Sequence, residues 1–322
     1  MTEHFAIGVD FGGTKILSGV VNLATGRLAG TGKKKTRQLA ERDDVLSRLV
    51  SVIDESIADA GIDPDRLVGI GIGAAGQVNR AKGILLYAAN IGIRDLALAQ
   101  PLSEHYKLPC VLGNDVETAT FAEMTFGAGR KCDNFVCVFV GTGIGSGIVQ
   151  DGKLYRGATG TAGEIGHICI EPYGRICGCG SLGCLEAYAS RTAIAKQIVG
   201  ELTRGSDSVI RDKIDMTKGI LRSRALAEAV EAGDEVVTTA VRQAAEFFGM
   251  GLATVINFYN PQRIVVGGGV VEAVDMYFQV AAKQARQRAL KVPAKKAEIV
   301  KAELGDYAGI IGAALMLKDK LG

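Results

Sequence analysis

Residues 5–22 read FAIGVDFGGTKILSGVVN, and residues 134–152 read NFVCVFVGTGIGSGIVQDG. Each begins as an apolar, β-branched strand, breaks at a turn of glycine and threonine, and resumes as a second apolar strand. That pattern predicts a β-hairpin whose tip offers backbone rather than side chains. Its repetition predicts two related α/β halves. In the first hairpin Gly12, Gly13, Thr14 and Lys15 would turn N–H groups, a hydroxyl and an ammonium toward one anion. Gly141, Thr142 and Gly143 are the counterpart in the second. Such turns cradle phosphate, and the pair argues for a polyphosphate held from both halves, although glycine hairpins are common singly. No G-x-x-x-x-G-K-[ST] loop occurs, and the first glycine turn leads into a strand where a dinucleotide fingerprint opens a helix. Hydride transfer therefore loses its main support.

The chain has 322 residues, of which 48% are hydrophobic, so two cores are expected. Charge is nearly balanced, 37 basic against 35 acidic residues, and gives no field that would select nucleic acid or an anionic membrane. No uninterrupted apolar run of membrane-spanning length and no signal-peptide pattern occurs, so a soluble, cytoplasmic protein is expected. Lys33–Lys35 read as a solvated strand edge, and Cys110, Cys132 and Cys137 as core thiols.

Between the hairpins, Val45, Leu49, Val52, Ile53 and Ile57 follow helical spacing up to Gly61, while LVGIGIG from Leu67 and CVLGND from Cys110 read as buried strands. Helical stretches are expected at 187–202, 223–232 and 234–258, a surface loop at 205–219, and a strand from Ile264 that ends in Gly267, Gly268 and Gly269. No Pro/Ser-rich linker separates the halves. The expected division is therefore 1–115 with a returning C-terminal helix at 306–322, and 116–305, with a hinge near Asp115–Val116. The second part would carry the cysteine loop. Asn114 and Asp115 follow a buried strand, where carboxylates face ligand crevices. Asp115 as a helix cap and Asp115 as a catalytic group fit that position equally.

The stretch GEIGHICIEPYGRICGCGSLGCLE, 163–186, contains His167, Cys177, Cys179 and Cys184 as H-x9-C-x-C-x4-C. One imidazole and three thiols at this spacing suit tetrahedral Zn²⁺ with no open position, a structural rather than catalytic ion. Unpaired core cysteines beside an unrelated histidine are the alternative, and the tight, polar, glycine-rich spacing speaks against them. Cys169 is a competing ligand. Glu164 and Glu186 bracket the loop and, with His167, make a cluster suited to a polyhydroxylated ligand.

These motifs resemble those of the ROK family of repressors and sugar kinases. The resemblance covers the chain almost end to end: DFGGTK at Asp10–Lys15, the Asn114–Asp115 doublet, GTGIGSG at 141–147, GEIGH, the cysteine loop, and NPQRIVVGGG at 260–269. It implies two actin-like (ribonuclease H-like) α/β ATPase domains with an interdomain active-site cleft. The implied activity is ATP-dependent phosphorylation of a hexose, foremost glucose to glucose 6-phosphate. Asp115 would be the base; Gly76, Asn90, Asn114, Glu164, His167 and Glu186 would bind the sugar. Asp10 would help place Mg²⁺; Gly12–Lys15 and Gly141–Gly143 would hold phosphates, and Gly267–Gly269 would pass beside adenosine. A structural Zn²⁺, a homodimer or tetramer, and a second part that carries both the nucleotide site and the oligomerisation surface are also implied. Two departures leave the acceptor open. Ala75 stands where the family's glucokinases usually carry proline in G-x-P-G-x-V, and AANIGIRD keeps Asn90 but lacks the usual aromatic. N-acetylglucosamine, N-acetylmannosamine, mannose, fructose and allose remain as acceptors, and polyphosphate as donor. A sugar-sensing regulator is disfavoured because DFGGTK begins at residue 10, with no helix-turn-helix ahead of it.

Overall fold

β1 (Phe5–Phe11) and β2 (Lys15–Asn22) pair antiparallel from Phe5–Asn22 to Phe11–Ile16, so Gly12, Gly13 and Thr14 are left as the tip. This computed structural model describes residues 4–36, 42–88 and 92–318. β3 (Leu28–Lys35) joins β2 antiparallel at the sheet edge, with Lys33 and Lys35 exposed. α1 (Arg42–Ala60) buries Val45, Leu49, Val52 and Ile53 and ends at Gly61, whose φ of 59° suits glycine. β4 (Leu67–Ala74) runs parallel to β1. β5 (Gln77–Asn79), β6 (Ile84–Ala88) and β7 (Ile93–Ala97) then form a small antiparallel sheet, too short and irregular in pattern to be read in advance. α2 (Ala99–Tyr106) leads to β8 (Cys110–Asn114), parallel to β4, and to α3 (Asp115–Thr125). The main sheet is ordered β3-β2-β1-β4-β8.

The C-terminal helix, Ala308–Leu315, is buried along almost its whole length and packs on β1, β4 and α3. Glycine makes that approach possible. A Cβ on Gly8 would collide with the Ile310 carbonyl, one on Gly71 with the Ala313 carbonyl, and one on Gly312 with the Thr118 carbonyl. The first compact unit accordingly comprises Met1–Arg130 and Asp306–Gly322, the second Lys131–Gly305. The hinge expected at Asp115–Val116 is corrected: α3 begins there and packs against the C-terminal helix, so the chain leaves the first unit at Arg130.

In the second unit β9 (Phe135–Val140) and β10 (Ile144–Gln150) form the matching hairpin, extended antiparallel by β11 (Lys153–Tyr155). The expected helix at 187–202 is split into α4 (Glu186–Ala189) and α5 (Arg191–Thr203). Ser190 is extended at ψ 164°, and its hydroxyl accepts from Ala193 N–H to start the second piece. The polar 205–219 segment is more than surface loop: Ile210 and Ile214 are buried, and Asp234 accepts from Ser208 Oγ and Val209 N–H. α6 (Ser223–Glu231) and α7 (Glu235–Tyr259) precede β12 (Arg263–Gly267), α8 (Gly269–Ala273), α9 (Asp275–Arg288), α10 (Lys291–Lys296) and β13 (Glu298–Lys301). β12 is parallel to both β9 and β13. The order β11-β10-β9-β12-β13 repeats the first sheet strand for strand and direction for direction. Of the three expected core thiols Cys110 and Cys137 are buried, whereas Cys132, in the irregular segment before β9, is only half-buried. No described helix is long and apolar enough to cross a membrane.

Candidate active site

The site residues of the first unit gather at the carboxyl edge of its parallel strands, where an α/β sheet leaves its crevice. Asp10 lies near the end of β1 and Gly76 just past β4. Asn114 ends β8. The tip of the first hairpin is closed by Gly12 N–H donating to Lys15 C=O at 3.1 Å and pinned by Thr36 Oγ1 donating to Gly12 C=O at 2.7 Å. Lys15 Nζ lies 2.8 Å from the Asp306 carboxylate, in the turn before the C-terminal helix. Burial first, then the nearby Asp115 carboxylate, pushes the Asp10 carboxyl up from 3.8 to about 7, against the opposing effect of Lys15. Acidic groups so crowded call for a cation, and the all-oxygen donors suit Mg²⁺.

The structure assigns the cap of α3 to Asn114. Its side-chain oxygen accepts from Val116 and Glu117 N–H at 3.0 and 3.2 Å, while its Nδ2 donates to Gly76 C=O at 3.1 Å. Asp115 follows as the first helical residue, so capping does not account for its carboxylate. At Ala75, in the place of the family proline, the N–H donates to Phe11 C=O at 3.0 Å, a bond proline cannot make. Asn90 lies outside the described residues.

In the second unit, Gly141 N–H donates to Gly143 C=O at 2.9 Å, closing the second tip. Gly268, at φ 93°, leaves no room for a Cβ against the Val140 backbone, so the Gly267–Gly269 turn lies directly beside Gly141–Gly143. Glu186 is turned toward the same tip: one carboxylate oxygen accepts from Ile144 N–H at 2.8 Å and the other lies 3.7 Å from Cys177 Sγ. It thus ties the second hairpin tip to the cysteine cluster.

His167, Cys177, Cys179 and Cys184 present ligand atoms all within 4.8 Å of one another. Cys179 Sγ and Cys184 Sγ are 3.7 Å apart, as are Cys177 Sγ and His167 Nδ1. Two thiolates ~2.3 Å from a tetrahedral Zn²⁺ would stand about 3.8 Å apart, so the donor set fits that ion. The competing Cys169 is not in this group: its backbone bridges Cys184, but its side chain is exposed beside Gly183. Burial, then the neighbouring thiols, pushes Cys184 up to about 12, whereas the Ser181 N–H lowers Cys179 to about 7. His167 Nε2 points the other way, 4.0 Å from Glu164, and both side chains are accessible. Reading residues missed Asp306 and Arg191. The latter donates from Nη2 to Thr142 Oγ1 at 2.8 Å, and no local pattern in the sequence marks it.

The fold defines the class: two α/β units of the actin-like ATPase plan, each with a glycine-rich hairpin tip. Residues 6–320 match the ROK family, and the chain belongs to it. A glucokinase of Halalkalibacterium halodurans is 34% identical over 322 residues, spanning 99% of this chain and 97% of its own. A ROK family glucokinase from Streptomyces griseus, solved with glucose and AMPPNP, agrees with a TM-score of 0.84 at 33% identity, over 97% of this chain and 98% of that one. A ROK family transcriptional regulator homologous to the E. coli MLC protein agrees with a TM-score of 0.83 at 29% identity, over 98% of this chain and 78% of that one.

Proposed function

We propose that the protein is an ATP-dependent glucokinase that converts glucose to glucose 6-phosphate. The observation that carries the reading is near-complete agreement with a glucokinase solved with glucose and AMPPNP. In this mechanism the Asp115 carboxylate accepts the proton of the sugar's 6-hydroxyl as that oxygen attacks the γ-phosphorus, and ADP leaves. Asn114 holds the β8–α3 corner and Gly76 in register for the sugar. Asn90, Glu164, His167 Nε2 and Glu186 take the remaining hydroxyls. Glu186 keeps one oxygen on the Ile144 N–H, so it also couples sugar placement to the phosphate turn. Gly12–Lys15 and Gly141–Gly143 hold the phosphates through N–H groups, and Gly267–Gly269 let the nucleotide pass close to the backbone.

Bound Mg²⁺, held by Asp10, would neutralise phosphate charge. Bound Zn²⁺, held by His167 Nδ1 and the three thiolates, would order the 163–186 loop. A reduced thiol cluster supports a cytoplasmic location. Homo-oligomerisation through the second unit is supported by the exposure of Phe258 and Val292, 92% and 78%, on neighbouring elements. Ala75 and the missing aromatic at 89–95 bear on acceptor choice. A coupled ADP-release assay over glucose, mannose, fructose, allose and the two N-acetylhexosamines tests it. Glucose is expected to give the highest kcat/KM, and a higher value for any other acceptor would reassign the substrate.

A further inference from the structure

Arg191 opens α5, and its N–H and guanidinium hydrogen bonds run to the second hairpin tip and to Ser223. Its N–H donates to Gly141 C=O at 3.0 Å and its Nη2 to Thr142 Oγ1 at 2.8 Å. Nη1 donates to Ser223 Oγ at 3.4 Å. Ser223 Oγ in turn lies 3.3 Å from where a Cβ on Gly269 would stand, so the guanidinium bridges the phosphate turn and the Gly267–Gly269 turn. Thr192 Oγ1 donates to Thr142 C=O at 2.7 Å and locks the same corner.

This guanidinium is half-buried, and its partners are neutral hydroxyls; it makes no ion pair among the described residues. Burial lowers its pKa, and no carboxylate opposes that effect. A partly desolvated cation without a counter-charge is costly unless a ligand supplies the anion. The two hydroxyls fix the plane of the fork, and a fixed fork matches phosphate oxygens bidentately.

We propose that Arg191 grips the phosphate tail of the nucleotide and is the residue by which this chain separates di- and triphosphates from monophosphates. The proposal rests on the kinase reading above. A guanidinium that only braced the turn would affect all nucleotides alike, whereas one that binds the tail affects only those that have it.

Calorimetric titration of AMP, ADP and AMPPNP into wild type, R191Q and R191K separates these cases, with glucose as a check on the rest of the site. In R191Q, ADP and AMPPNP should weaken about tenfold or more, while AMP and glucose stay within about twofold. R191K, which keeps the charge but not the fork, should fall between R191Q and wild type for ADP with AMP unchanged, and it carries the test if R191Q does not fold. Equal losses for ADP and AMP, or unchanged ADP affinity in both variants, overturn the proposal. Wild type that turns over sugar with either of those results refutes Arg191's role alone. Wild type that binds no nucleotide and phosphorylates no sugar refutes the kinase reading itself.

Discussion

Asp10 is held in a place that opposes its charge, through burial and through the carboxylate of Asp115. Its folded-state value of about 7 lies above the ordinary 3.8, so the fold favours the protonated form. The penalty is absent below about pH 4, grows as pH rises, and is complete above about pH 7. In metal-chelated, nucleotide-free protein, Asp10→Asn should therefore raise Tm by an amount that increases across this window, while Mg-ATP turnover falls. A Tm difference independent of pH would contradict the burial argument. Asp115 poses the opposite question. Its position in the sequence fits a cap and a base equally; the cap is Asn114, and a catalytic role for Asp115 is what its replacement tests. Asp115→Asn should cut kcat by at least ~10²-fold, with glucose affinity by calorimetry within about tenfold. Near-wild-type turnover in the folded variant would remove Asp115 from the mechanism.

Elements differed in how plainly they could be read. The Cys/His cluster was legible because its four members are close along the chain, so spacing alone constrains their geometry. Arg191 was not, since its meaning comes from a hairpin tip fifty residues earlier in the chain. The break at Ser190 interrupts an otherwise continuous helical pattern, and one capping hydroxyl decides it. Cys179→Ser should release the metal, measured as zinc per chain by elemental analysis, and raise the glucose KM, because His167 and Glu186 lose their placement. Metal loss with unchanged sugar kinetics would make the ion a spectator. The C-terminal helix yields a sharper mechanical test. Gly71→Ala drives a Cβ into the Ala313 carbonyl, backbone against backbone, with no flexible side chain to yield. Overpacking of this kind costs about 1–3 kcal/mol or more and should lower Tm by several degrees. An unchanged Tm would mean the helix sits further from the sheet than described.

On the scale of the whole molecule, the duplicated hairpin is what the sequence announced most clearly, and the two sheets repeat it with the same order and strand directions. Hairpins are local and periodic, so strand alternation and a glycine tip suffice to reveal them. The C-terminal helix belongs to the first unit, and the chain leaves that unit at Arg130, a point no local pattern in the sequence marks. That boundary depends on which surface α3 covers, a long-range packing choice with no local signature. The proposed catalysis uses the same plan: each unit has a glycine hairpin tip at the carboxyl edge of its parallel strands, and in the first Asp115 follows the end of β8. The account's central claim is that this arrangement transfers a phosphoryl group from ATP to glucose. The most direct measurement incubates the purified protein with glucose and Mg-ATP and quantifies glucose 6-phosphate and ADP by mass spectrometry. One glucose 6-phosphate per ADP, abolished by omitting glucose and reduced at least ~10²-fold in Asp115→Asn, is the predicted result. ADP formation without a phosphorylated sugar, or no ATP consumption with glucose present, would contradict the claim.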